Sequence, residues 1–111
     1  MASAMTRILK LQKNGAVRDV AVRAFWPVVD DTAWDCRWEI DWPDQPRSNS
    51  GRGIDAVQAL FNALTMVGAE LYCSEAHKAG QLTWDKEWRG YGFPVTANLR
   101  DMLSGDDKDF L

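Results

Sequence analysis

The nine residues from Trp34 to Trp42 constrain the fold more than any other stretch of the chain. Trp34, Cys36, Trp38, Ile40 and Trp42 share one parity, and Asp35, Arg37, Glu39 and Asp41 share the other. A two-residue period sends these sets to opposite faces of a strand. One face must therefore be covered and the other wet, as in an antiparallel sheet packed on one side. A one-residue slip would expose three indoles and bury four charged groups, so the register is strongly specified.

Two strands precede it. Thr6 to Lys13 alternates around Leu9 and Leu11, and Asn14 with Gly15 supplies the positive φ values of a tight hairpin. Ala16 to Val28 follows, with Val20, Val22, Ala24 and Trp26 on one face and a break at Pro27, which has no N–H for a ladder. Pro43 to Gly53 is rich in Pro, Gly, Ser and Asn and reads as a flexible loop. The spacing then predicts a helix from Ile54 to Tyr72, with Ile54, Val57, Phe61, Leu64, Val67, Gly68 and Leu71 as its apolar face. Ala56, Ala59 and Ala63 allow close packing against the sheet, and Gly68 invites the close approach of a strand or an indole. Beyond it come a turn or short helix at Ser74 to Gly80, a fourth strand at Leu82 to Glu87 and an aromatic loop at Trp88 to Pro94. A short helix follows at Val95 to Leu103. Residues 1–5 and the acidic tail from Ser104 read as loose. The predicted fold is α+β: a three- to four-stranded antiparallel meander against one main amphipathic helix, ordered β-β-β-α-β, in a single domain with its core at about 6–103.

Composition narrows the function. The chain has 111 residues, which suits one core, and a formal net charge of −3, the wrong sign for a duplex-binding surface. No stretch reaches the roughly 18 apolar residues of a membrane span, and the N-terminus lacks the apolar core of a signal peptide. Two lone cysteines, Cys36 and Cys73, fit reduced thiols in the cytoplasm. One histidine, His77, and no CxxC give no metal site, and no cofactor is expected. Arg47 to Gly53, with Arg47, Arg52 and small residues ahead of a helix, offers an anion-binding loop, although no Gly-Lys-Ser/Thr closes it and Asp55 opposes an anion. Cys73 and His77, four residues apart, are the best candidate for a thiol–imidazole pair. Cys36, among indoles, is expected to be inert.

The run W-D-C-R-W (Trp34 to Trp38), then G-I-D-A-V-Q-A-L (Gly53 to Leu60), E-L-Y (Glu70 to Tyr72) and G-F-P (Gly92 to Pro94) resembles a bacterial domain family of unknown function. The resemblance spans roughly residues 6 to 95. It implies a short single-domain protein with a W-x-C strand and a G-x-D-x-x-Q-A-L helix, and it brings no activity. Size, acidity and layout more loosely resemble immunity proteins of toxin systems.

The expected function is that of a small cytoplasmic protein-binding module, an immunity or regulatory factor that blocks a partner, and not an enzyme. Asp35, Glu39 and Asp41 on the wet face are expected to meet basic groups on that partner, with Trp84, Trp88 and Tyr91 as aromatic anchors. The alternative is a ligand-binding or enzymatic domain using the Arg47–Gly53 loop or the Cys73/His77 pair. Self-association through an exposed sheet edge or the C-terminal aromatics is the third expectation.

Overall fold

The structure, a computed structural model, describes residues 4–111. Of the loose start expected for residues 1–5, residues 1–3 lie outside the described residues, and Ala4 and Met5 already belong to the first strand. The elements in chain order are β1 (Ala4–Lys13), β2 (Ala16–Phe25), β3 (Val28–Asp30), β4 (Ala33–Ile40), β5 (Arg47–Gly53), α1 (Ala56–Tyr72), α2 (Glu75–Lys78) and β6 (Leu82–Thr83). A 3-10 turn (Ala97–Met102) and α3 (Gly105–Phe110) close the chain.

The class is α+β as predicted, with six strands in one antiparallel sheet. β1 and β2 form a ten-residue hairpin across Asn14 and Gly15, both at positive φ. β4 pairs along one edge with β2 and, beyond the break at Trp26 and Pro27, with β3; its other edge pairs with β5 along seven residues. β6 adds to β1 through Lys10 and Leu11. The alternation of β4 reads out as predicted: Cys36, Trp38 and Ile40 are buried beneath α1, while Arg37 is exposed on the far face. Leu9, Leu11, Val20, Val22 and Ala24 extend the same apolar face across β1 and β2.

The structure corrects the loop expected at Pro43 to Gly53, because Arg47–Gly53 is the strand β5. Its Ser, Asn and Gly content has low strand propensity, but ladder hydrogen bonds come from the backbone, and a helix seated on the strand requires small residues there. A Cβ built on Gly51 would lie 2.3 Å from the Ala63 nitrogen, and one on Gly53 would lie 2.5 Å from the Ala59 nitrogen. α1 thus runs antiparallel to β5 with its alanines pressed onto the two glycines.

That seating corrects the predicted helix face as well. The buried stripe is Ala59, Ala63, Val67 and Leu71, whereas Ile54, Val57 and Phe61 are 85%, 76% and 56% exposed. Trp26, expected on the covered face of β2, is 58% exposed at the β2–β3 break. Ile54 lies outside the helix: Asp55 is the N-cap and accepts from the Gln58 amide at 2.8 Å, and the Gln58 side chain accepts from the Ile54 amide at 2.7 Å.

The tail from Ser104 is ordered, not frayed. α3 places Asp107 fully inside the protein, and Leu103 is buried beside it in sequence. The predicted strand at Leu82 to Glu87 shrinks to two residues, and the helix expected at Val95 to Leu103 is the 3-10 turn. Gly68 does admit a neighbour: a Cβ there would sit 2.0 Å from the Pro94 carbonyl oxygen. Among the described residues no helix is long and apolar enough to cross a membrane.

Because Gly51 faces helix backbone and not a flexible side chain, Gly51→Ala is expected to destabilise the fold by about 1–3 kcal/mol, although alanine is the better strand residue. Thermal unfolding reads this, with Gly80→Ala, whose position has open space but positive φ, as a control for backbone strain alone.

Candidate functional site

Three regions compete for a working role. The first is the far face of the sheet. Arg23 and Glu39 are cross-strand partners, and Arg23 contacts Glu39 at 3.2 Å and Asp41 at 2.6 Å. Arg37 reaches Glu39 at 3.3 Å, and Arg52 reaches Asp35 at 3.4 Å and Asp30 at 3.7 Å. The hydrogen bonds to Asp41 and Glu39 raise the Arg23 pKa. Asp35, Glu39 and Asp41 therefore stand where the sequence placed them, each already carrying an arginine of this chain. A ladder of partly exposed pairs contributes at most about 1 kcal/mol per pair.

The second region is the C-terminal aromatic segment, organised by Asp107. One carboxylate oxygen accepts from the Trp88 indole at 2.7 Å and the Gly92 amide at 2.8 Å; the other accepts from the Tyr72 hydroxyl at 2.5 Å and the Tyr91 amide at 2.8 Å. Four donors satisfy a fully buried anion, the condition under which such a group is tolerated. The carbonyls of Tyr91 and Gly92 accept from Arg7 Nη1 at 3.1 and 2.9 Å. The Tyr91–Gly92 stretch is thus held between a cation on its carbonyls and an anion on its amides. His77 Nδ1 shares a hydrogen bond with the Tyr91 hydroxyl, and its ring packs edge-on against Tyr72 and Tyr91.

A cleft of about 540 Å³ opens here, lined by His77, Trp84, Trp88, Arg89, Tyr91 and Ser104 among others. Of the three predicted anchors, Trp84 and Trp88 keep open surface at this cleft, and Tyr91 is buried. Burial lowers the His77 pKa and so favours the neutral imidazole, whose Nδ1 is committed to Tyr91. Cys73 caps the end of α1 and is exposed; among the described residues it makes no hydrogen bond with His77. The thiol–imidazole pair considered from the sequence does not form. Burial raises the Cys36 thiol, which donates to the Phe25 carbonyl at 3.1 Å. Arg47 and Arg52 of β5 contact Glu70 and the Asp30/Asp35 pair, and Asp55 caps the helix behind them, so that segment presents no open anion loop. Among the described residues no group of three or more His, Cys, Asp and Glu is placed to hold a metal.

The third region is the outer face of α1. Val57, Phe61, Thr65, Gly68 and Tyr72 follow one another at three- and four-residue steps and so share a face. Thr65, Gly68 and Tyr72 are buried; the Pro94 and Val95 segment lies on Gly68, and Asp107 holds Tyr72. Val57 and Phe61, with Ile54 just before the N-cap, are bare. Val29 pairs with Trp34 and Trp34 with Gly53, so exposed Val29 borders the same end of the sheet.

A family model, described as a domain of unknown function (DUF6968), matches residues 5–95. The chain belongs to the DUF6968 family. No curated protein and no solved structure matches it significantly. The DUF6968 match takes in all of the sheet but Ala4, and with it α1, Arg7, His77 and Tyr91. It ends before Asp107, the carboxylate on which the aromatic segment is strung.

The bare stripe and Asp107 were both missed from the sequence. A signal for the stripe was present: Gly51-x-Gly53 matches Ala59 and Ala63 as a small-residue seam, and an alanine face turned inward leaves Val57 and Phe61 outside. For Asp107 there was none, since one Asp in an acidic tail looks like any other.

Asp107→Asn turns the amide's own donors toward two of the four donors and removes the charge that the others bind, and it is expected to cost about 3 kcal/mol or more, read as a drop in unfolding temperature. The phenols give a pH signature. The Tyr91 hydroxyl is pushed up from 10 to about 12 by burial and by the charge of Asp107, and Tyr72 rises for the same reasons and through its hydrogen bond to Asp107. These are the chain's two tyrosines. Folding favours their protonated form, so this contribution to stability is complete below pH 10 and is lost as the pH climbs toward 12. Tyrosinate absorbance should therefore stay silent through pH 10 and appear together with unfolding; ordinary titration centred at 10 in the folded protein would contradict it.

Proposed function

We propose that this chain is a protein-binding module that blocks a partner by covering its surface through the bare half of the α1 face. The observation that carries the reading is the stripe of Ile54, Val57 and Phe61, three large apolar side chains more than half exposed at the start of a helix whose other end is covered. Exposed apolar groups gathered in one patch mark interaction surfaces, whereas scattered ones do not. Asp55, the exposed N-cap, stands at this end of the helix. Its carboxylate fits a partner segment of apolar side chains flanked by lysine or arginine. Complementary charge would speed encounter, and burial of Phe61 would slow release.

The partner is thus one with a basic, amphipathic surface, and the mode of action is steric, as for a small immunity or regulatory protein acting in the cytoplasm. Cys36 and Cys73 are both free thiols, in keeping with that compartment. The reading moves the anchors from the C-terminal aromatics to α1, and it keeps the acidic contribution in a different residue.

Val57→Asp with Phe61→Asp is expected to leave unfolding temperature nearly unchanged, because both sites are exposed, and to weaken the partner complex by at least about 100-fold in calorimetry. The same complex should form more slowly as salt rises. A partner that binds the double variant as tightly as the native chain would refute the assignment. Light scattering of the protein alone distinguishes the remaining occupant, a second copy: a native dimer that the double variant abolishes would give this face to self-association.

A further inference from the structure

A cleft of about 230 Å³ lies between the β1–β2 hairpin and α1, walled mainly by Met5, Val22, Ala24, Leu60, Leu64 and Phe93. Its lining is apolar except for Thr6 and Arg7. Among the described residues Arg7 is the one partly buried cation with no carboxylate in ion-pair range; Arg23, the other partly buried cation, has two. Asp107 acts on Arg7 from a distance, but its oxygens are committed to four other donors. Burial lowers the Arg7 pKa, the mark of a cation stripped of part of its water.

The side chain is also fixed. Its guanidinium lies 3.9 Å from the Trp84 ring centroid and 4.7 Å from that of Phe93, and Nη1 is tied to the Tyr91 and Gly92 carbonyls. Among the described residues Nε and Nη2, the two donors on the other side of the fork, have no acceptor. This is the edge of a guanidinium that binds a carboxylate with two parallel hydrogen bonds. Orientation set in advance lowers the entropic cost of using it.

We propose that the cleft binds a small apolar monocarboxylate, its chain among Met5, Leu60, Leu64 and Val22 and its carboxylate on Nε and Nη2 of Arg7. The volume is below the roughly 300–1,000 Å³ of drug-sized sites, so the ligand is short, on the scale of a medium-chain fatty acid. The site is separate from the Val57–Phe61 stripe, and its failure would leave the protein-binding reading untouched.

Octanoate is the probe, titrated into the full chain by calorimetry and by fluorescence of the tryptophans, since Trp84 stacks on Arg7. The expected result is one-to-one binding below about 1 mM, at least about tenfold tighter than octan-1-ol, with octylamine silent. Leu64→Trp, which fills the cleft and leaves Arg7 in place, is expected to weaken octanoate by at least about tenfold at unchanged unfolding temperature. Arg7→Lys keeps the charge, loses the fork and should bring octanoate down to the affinity of octanol. Absence of binding at about 10 mM would overturn the proposal, as would equal affinity for octanol and octanoate or full affinity in Leu64→Trp. A short peptide with a free C-terminal carboxylate that outcompetes octanoate would overturn the small-molecule assignment.

Discussion

Everything that distinguishes this fold follows from how closely α1 sits on β5. The helix backbone rests on Gly51 and Gly53, with no room for a Cβ at either position. Contact this close needs small residues from both sides, and Ala59 and Ala63 supply the other half. Close packing of this kind is sensitive to single methyl groups, because protein interiors hold few voids. Once the alanines face the sheet, the rotation of the helix is set. Val57 and Phe61 must then point away, and Leu60 and Leu64 fall at the border where the helix meets β2. The exposed stripe and the apolar cleft are both consequences of that one contact.

The second organising element works at the opposite end of the helix and is polar. Asp107 draws Tyr72, Trp88 and the amides of Tyr91 and Gly92 onto one buried carboxylate, while Arg7 holds the carbonyls of the same two residues. Removing either charge leaves oriented dipoles without their partner, which costs more than an ordinary hydrogen bond. This arrangement folds the C-terminal segment over Gly68 and Tyr72 and stops there. The first half of the same helix face stays open, so the bare stripe is bounded by construction: small-residue packing below and the Asp107 assembly on one side.

Legibility in the sequence followed physical periodicity. The strand from Trp34, the Asn14 and Gly15 hairpin and the existence of the long helix were readable because each rests on a local rule. The strand at Arg47–Gly53 was not readable, because its residues are chosen for what lies on top of them and not for strand propensity. The orientation of α1 was half readable: close packing of the alanines against the sheet was expected, but side-chain size also put Val57 and Phe61 on the inner face, and the tertiary fit selected Ala59 and Ala63. Asp107 and Arg7 depend on contacts more than eighty positions apart in one case and on the fold of the tail in the other, which no local pattern encodes.

The central claim is that Ile54, Val57 and Phe61 form a surface kept open for a protein partner. Carbene footprinting of the folded chain, alone and in extract of its native cell, tests this residue by residue. The account predicts heavy labelling of these three residues in the isolated protein and their selective protection in the extract, with the Arg23, Glu39 and Asp41 ladder labelled equally in both. Weak labelling of the three in the isolated protein, or protection confined to the far face of the sheet, would contradict it.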